Sequence, residues 1–146
     1  MSDFLQTMAD SSAERAAAVP GFSSADFDKP LVPLCPGAFD VIAEIKEHSP
    51  AEGDLSLAES NRVEQAEKYA DGGAIAISVL TEPSRFAGEL AHLEEIAAAL
   101  PGTPVMRKDF LVEPAQVREA RKSGASGVPL ASKRRTLIVS AKVGGP

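Results

Sequence analysis

The residues best suited to chemistry are Glu44, Lys46 and Lys108. Side chains on a β-strand alternate between its faces, so in Val41-Ile-Ala-Glu-Ile-Lys46 the residues Ile42, Glu44 and Lys46 share one side, and Val41, Ala43 and Ile45 the other. The run Pro104-Val-Met-Arg-Lys108 repeats the arrangement, with Met106 and Lys108 on one face and Lys108 last before a loop. Buried charge is costly unless paired, and a lysine desolvated beside a second cation becomes able to give up a proton near neutral pH. Two lysines and a glutamate brought together at strand ends would therefore suit general acid catalysis on an oxygen. They would equally suit binding of a carboxylate or phosphate. The competing reading is an exposed ion pair at a strand edge, with Lys108 in a solvated Arg107-Lys108-Asp109 turn.

Which reading applies depends on the elements that carry these residues. Residues 3–18 read as an amphipathic helix with Phe4, Leu5, Met8 and Ala16 near helical spacing and Ser2 or Asp3 available as a cap. The stretch from Pro20 to Gly37, with prolines at 20, 30, 33 and 36, reads as a connector. A regular pattern follows. Residues 39–46 form a strand, 47–53 a loop and about 57–70 a helix closed by Gly72-Gly73. Residues 74–80 form a buried strand, 81–88 a loop and 89–100 a helix ended by Pro101-Gly102. Residues 104–108 form a strand, 109–113 a loop, and Pro114 opens a helix that stops at Gly124, with a fourth strand expected from Ala125.

Strands alternating with helices predict an α/β chain with parallel βα units, in either a doubly wound sheet or an eight-fold barrel. No Gly-x-Gly-x-x-Gly follows the first strand, which removes the main reason to favour a dinucleotide-binding sheet. In a barrel the site lies where the C-terminal strand ends open into loops, and Glu44, Lys46 and Lys108 would point into that mouth. Phe86 and Phe110 fall in loops directly after strands, where a planar substrate could stack, although core anchoring is the commoner use of such rings.

Composition narrows the class. The 146 residues, 44% hydrophobic and 25% charged, are ordinary for a globular domain. A net charge of −6 argues against a nucleic-acid partner, since phosphate-backbone binding needs clustered Lys and Arg, and Lys133-Arg134-Arg135 is too short a run. The single cysteine, Cys35, has no local partner for a disulfide or metal site, and His48 and His92 have none at metal spacing, so no metal is expected. No apolar stretch approaches the roughly 20 residues needed to span a bilayer, and the N-terminus lacks the pattern of a signal peptide. A cytoplasmic protein is expected.

The segment Val41-Ile-Ala-Glu-Ile-Lys46 followed by Glu-His-Ser49-Pro50-Ala-Glu-Gly53 resembles the first-strand signature of indole-3-glycerol-phosphate synthases, an apolar-Ala-Glu-x-Lys strand and a Ser-Pro-Ser loop. Gly72-Gly-Ala-Ile-Ala-Ile-Ser-Val-Leu-Thr-Glu82, Pro104-Val-Met-Arg-Lys-Asp-Phe110 and Glu113-Pro-Ala-Gln-Val117 agree in order and spacing. The resemblance implies a carboxy-lyase of tryptophan biosynthesis. That enzyme converts 1-(2-carboxyphenylamino)-1-deoxyribulose 5-phosphate to indole-3-glycerol phosphate, releasing carbon dioxide and water without a cofactor. It further implies Lys108 as general acid, Lys46 near the substrate carboxylate, Glu44 balancing the lysines, and Ser49, Phe86 and Phe110 as substrate contacts. Ala51 departs from the family pattern, standing where the second Ser of the loop is expected.

The resemblance covers residues 39–128, which predicts a partial TIM (β/α)8-type barrel of about three and a half βα units, preceded by a helix and connector at 1–38. From Pro129 the pattern changes abruptly, and 129–146 reads as a divergent tail, expected to come from a truncated or frame-shifted reading frame. A full barrel takes about 250 residues, and the family's base glutamate, asparagine and Glu-Ser-Gly phosphate loop belong to its later units. The alternative expectation is therefore an inactive half-barrel that self-associates through uncovered edges or complements a separate C-terminal half.

Overall fold

The computed structural model describes residues 2–55, 61–131 and 136–139. The N-terminal helix is α1, Ser2–Ala17, so Ser2 lies within the helix and does not cap it. Its buried residues Met8, Ser12 and Ala16 are spaced by four, as one helix face requires. Phe4, one turn before Met8, and Leu5 beside it are 38% and 54% exposed, at the end of the helix where that face runs out. Within the connector, a short 3-10 turn spans Ser24–Phe27, started by Ser23, whose amide donates to the Asp26 carboxylate at 2.7 Å.

Three βα units follow. The first strand, β1, is Ile42–Ile45, shorter than expected: Gly37 N donates to the Asp40 carboxylate at 2.7 Å, and this local turn keeps Phe39 out of the strand. A two-residue hairpin, β2 (His48–Ser49) with β3 (Gly53–Asp54), occupies the following loop. Helix α2, Arg62–Asp71, is started by Asn61, whose side chain accepts from Glu64 N at 2.9 Å. The expected start near Leu57 lies outside the described residues. Strand β4 is Ala76–Leu80. The expected loop after it contains a helical turn, α3 (Pro83–Phe86), because the buried Glu82 carboxylate accepts from Ser84 N and Arg85 N and Pro83 fills the first position. Phe86 therefore ends a helical turn instead of lying in an open loop. Helix α4 is Leu90–Ala99, β5 is Val105–Lys108 and α5 is Pro114–Lys122.

The sheet runs β1-β4-β5 with both pairings parallel. Every residue of the central β4 is buried, as a strand covered on both faces must be. One face carries Ile45, Ile77, Val79 and Val105, which pack with Ala66 of α2, Leu93 and Ile96 of α4 and Ala120 of α5. That apolar layer is the core. By alternation, Glu44, Ser78, Leu80, Met106 and Lys108 belong to the opposite face.

The fourth strand starts as expected and then stops. Ser126 N donates to Val105 O at 2.8 Å and Arg107 N to Gly127 O at 3.1 Å, a parallel bridge beside β5. Gly127 is the bridge residue facing β5, the next residue to face it in a parallel ladder is two on, at position 129, and Pro129 has no N–H to donate. The chain turns instead into an antiparallel pair, β6 (Val128–Ala131) with β7 (Thr136–Val139). The rest of the divergent tail, 132–135 and 140–146, lies outside the described residues. No helix among the described residues is long and apolar enough to cross a membrane.

Leu93 is fully buried between sheet and α2, and Leu93→Ala is expected to cost about 2–5 kcal/mol. Phe39, 87% exposed, should change stability by less than about 0.5 kcal/mol when replaced by Ala. Urea midpoints of the two variants check the pair. A Leu93→Ala chain as stable as the parent would show that α4 is not seated on the sheet.

Candidate functional site

The register of the sheet sets the site. Glu44 on β1 stands opposite Ser78 on β4, and Leu80 on β4 stands opposite Lys108 on β5, so Glu44 and Lys108 project from the same face across one intervening strand. They meet: Lys108 Nζ donates to Glu44 Oε2. Lys46, just past the end of β1, reaches Glu44 Oε1 at 3.7 Å and Glu52 of the following hairpin loop at 3.6 Å. One carboxylate thus bridges two ammonium groups, the arrangement expected from alternation.

The cluster is more open than a buried-charge reading requires. The side chains of Lys108, Glu44 and Lys46 are 47%, 31% and 25% exposed. Ion pairs this accessible stabilise by about 0–1 kcal/mol, so these charges are not what keeps the chain folded.

The other three expected residues lie on loops at the same end of the sheet. Ser49, 6% exposed on β2, follows β1, and its hydroxyl accepts from Ala51 N at 3.3 Å. Phe86 follows β4 at the end of α3, and Phe110 follows β5. His48 Nδ1 is 2.9 Å from Arg85 O, which ties the Ser49 loop to the Phe86 turn and requires the proton on Nδ1. Phe110 packs edge-on against Phe4 of α1, with ring centroids 6.2 Å apart. Gly88 closes the turn beyond Phe86 against the strand: a Cβ there would stand 2.4 Å from Leu80 O, so no other residue fits without moving the backbone.

Sequence reasoning missed the groups that anchor Lys108. Its neighbours are not a solvated turn: the Arg107 side chain is 2% exposed and that of Asp109 is 0%. Arg107 projects to the helix side, where it donates to Thr81 Oγ1 at 3.1 Å, Gln116 O at 3.0 Å, Glu119 at 2.8 Å and Asp109 at 3.0 Å. Asp109 also accepts from both terminal nitrogens of Arg15 on α1 at 2.8 and 2.9 Å, from Thr81 Oγ1 at 2.8 Å and from Phe110 N at 2.8 Å. The signal was present in one form: Arg107 shares a strand face with Val105, so alternation alone demanded a buried partner for it.

Residues 9–134 match the family described as Indole-3-glycerol phosphate synthase. The chain belongs to that family. The match begins inside α1 and runs past Val128, so it takes in both the helix that carries Arg15 and the bend at Pro129. Proteins named indole-3-glycerol phosphate synthase are similar to it. One from a Nocardioides species is 49% identical over 109 residues, covering 73% of this chain and 41% of the relative. One from Opitutus terrae is 43% identical over 96 residues, 63% of this chain and 36% of the relative. One from Paenarthrobacter aurescens is 54% identical over 86 residues, 58% of this chain and 30% of the relative. The chain thus spans about two-fifths or less of the length of these curated relatives. Its three parallel βα units and fourth-strand start are part of the TIM barrel of this synthase family.

Burial pushes the Asp109 carboxyl upward, but the hydrogen bond from Arg15, the charges of Arg107 and Arg15 and the hydrogen bond from Thr81 outweigh it and hold the group below its ordinary value of 3.8. The folded chain therefore takes up this proton less readily than the unfolded chain does. The stabilisation is complete above the unfolded value and is lost as pH falls through the lowered folded value. Urea unfolding between pH 6 and pH 2 should show stability falling below about pH 4, and Asp109→Asn should flatten that fall. An unchanged acid limb in Asp109→Asn would remove Asp109 from the account.

Proposed function

We propose that this chain supplies the acid side of a site for ring closure and decarboxylation of 1-(2-carboxyphenylamino)-1-deoxyribulose 5-phosphate to indole-3-glycerol phosphate, with release of carbon dioxide and water. The observation that carries the reading is the Glu44 carboxylate bridging Lys108 and Lys46 at the C-terminal ends of β1 and β5. An acid at a strand end can protonate the substrate's ketone oxygen as the ring carbon attacks, and can protonate it again as it leaves as water. Lys108 takes that role, since it is the last residue of its strand and its ammonium group reaches solvent. Lys46 lies beside the substrate carboxylate that departs as carbon dioxide, where a cation offsets its charge. Glu44 keeps the two ammonium groups apart and oriented.

Phe86, at the end of the helical turn α3 after β4, and Phe110, after β5, enclose the anthranilate ring, and Ser49 contributes a hydroxyl from the hairpin after β1. No cofactor enters this reading, and the partner is a phosphorylated small molecule, with neither nucleic acid nor membrane involved. A cytoplasmic location goes with such a biosynthetic role. Indoleglycerol phosphate formation, followed by indole fluorescence with the chain alone and with a supplied C-terminal half of a relative, tests it. Lys108→Ala should lower turnover by about 10²–10⁴-fold in whichever preparation is active, the usual contribution of a positioned acid. Turnover unaffected by Lys108→Ala would reject the assignment.

A second reading, a half-barrel that self-associates, draws on the outer edge of β1. Among the described residues that strand pairs with β4 alone, and Val41 and Ile42 beside its other edge are 52% and 39% exposed. Unpaired strand edges with apolar neighbours recruit other strands. Sedimentation velocity of the purified chain should then show a concentration-dependent dimer that Ile42→Lys abolishes. A monomer at all concentrations would dismiss this reading.

A further inference from the structure

Lys108 is held from behind, and its anchors reach a helix far away in sequence. Its own carbonyl accepts from Thr81 N at 3.0 Å. The residue before it, Arg107, spends its guanidinium on Thr81, Gln116, Glu119 and Asp109. The residue after it, Asp109, is a fully buried carboxylate receiving five hydrogen bonds, two of them from the terminal nitrogens of Arg15. A carboxylate offers about four lone-pair sites, so this one is saturated. The Phe110 peptide is also fixed at both ends, its N–H by Asp109 Oδ1 at 2.8 Å and its carbonyl by the Ser12 hydroxyl. Ser12 is itself buried and accepts from Gln116 Nε2 at 2.8 Å.

Arg15 commits both terminal nitrogens to Asp109 and leaves its buried Nε without a partner, so the fork is oriented for this one contact. Charge explains why the contact matters. Arg107 already faces two carboxylates, Asp109 and Glu119. Arg15 balances that set with a second cation, and without it Asp109 would lose two of its five bonds and rotate to follow Arg107 or water. Because Asp109 is the next residue after Lys108, rotation of its side chain and backbone redirects the lysine.

We propose that Arg15 of α1 is a positioning residue for Lys108, acting through the Asp109 carboxylate, so that α1 sets the direction from which the acid enters the mouth of the sheet. Its functional meaning rests on Lys108 being the acid. The geometric content does not, and can be read without turnover.

A zero-length carbodiimide tests it on the whole chain. The reagent activates Glu44 as an O-acylurea, and the Lys108 amine displaces the urea to leave an amide, the reagent taking up the water lost. The same reagent joins Glu52 to Lys46, a pair in the loop after β1 that touches none of Arg15, Arg107 and Asp109, which makes it an internal standard. Mass spectrometry of digested chain gives the ratio of the two products. Arg15→Ala should lower the Glu44–Lys108 product several-fold relative to Glu52–Lys46. Arg15→Lys, which keeps charge but loses the fork, should fall in between, and Glu14→Ala, exposed on the same helix, should match the parent. Circular dichroism identifies any variant that has lost its helices. If Arg15→Ala unfolds, the ratio in Arg15→Lys decides. An unchanged ratio in a folded Arg15 variant, or an equal fall in Glu14→Ala, overturns the proposal. A fallen ratio in the Arg15 variants, together with a parent chain that shows no turnover even with the supplied C-terminal half, leaves the positioning intact and counts against the catalytic reading alone.

Discussion

A single buried carboxylate organises the end of the sheet where the charged residues gather. Asp109 joins a helix at the start of the chain, α1, to the strand that carries Lys108 and to Thr81 at the end of the neighbouring strand. A buried ion pair of this kind contributes little compared with an apolar replacement of similar shape, yet removing one partner costs about 3–5 kcal/mol, because the other charge is left unpaired. Its value is therefore geometric. Each member dictates where the next must lie: Arg15 reaches Asp109, Asp109 receives Arg107, and Arg107 reaches back to Gln116 and Glu119 on α5.

The alternation of a β-strand turns this constraint into a site. Arg107 and Lys108 are adjacent cations with opposite fates, one side chain 2% exposed and the other 47%. Arg107 faces the helices with Val105 and is consumed by partners. Lys108 faces the other way with Met106, where the register of β1, β4 and β5 places Glu44 within reach. The same pattern on β1 sends Ile45 into the core and Glu44 toward the lysines. The helix side holds the strand ends, and the charges on the other side pair, among the described residues, with one another and with Glu52.

Much of this was legible in the sequence. Three apolar runs, the first and third ending in charge, located the strands, and the Gly and Pro stops located the helices between them to within a few residues. Glu44, Lys46 and Lys108 were assigned a common face by period-two alternation, and they do meet. What could not be read was long-range pairing: Arg15 and Asp109 are separated by 94 positions, and no spacing rule connects them. Local hydrogen bonds also overrode pattern. Asp40 turned the expected start of β1 into a loop, and Glu82 wound an expected loop into the helical turn that carries Phe86. Pro129 was legible in the opposite sense, because a missing donor is a property of the residue itself and needs no partner to be known.

The two kinds of charge in this end of the molecule also differ in what they can enforce. A lysine side chain gives up about 2 kcal/mol of rotamer freedom when fixed, while an accessible ion pair returns about 0–1 kcal/mol, so Glu44 alone cannot hold Lys108 in one place. The buried set can, because it acts on backbone and not on the side chain: Thr81 fixes the carbonyl of Lys108, and Arg107 and Asp109 fix the residues on either side. Glu44 then has only to choose among the few directions left to a lysine whose root does not move. That division lets the ammonium group stay open to solvent while its point of departure stays constant. A lysine buried deeply enough to be held by its own contacts would have no such access to solvent.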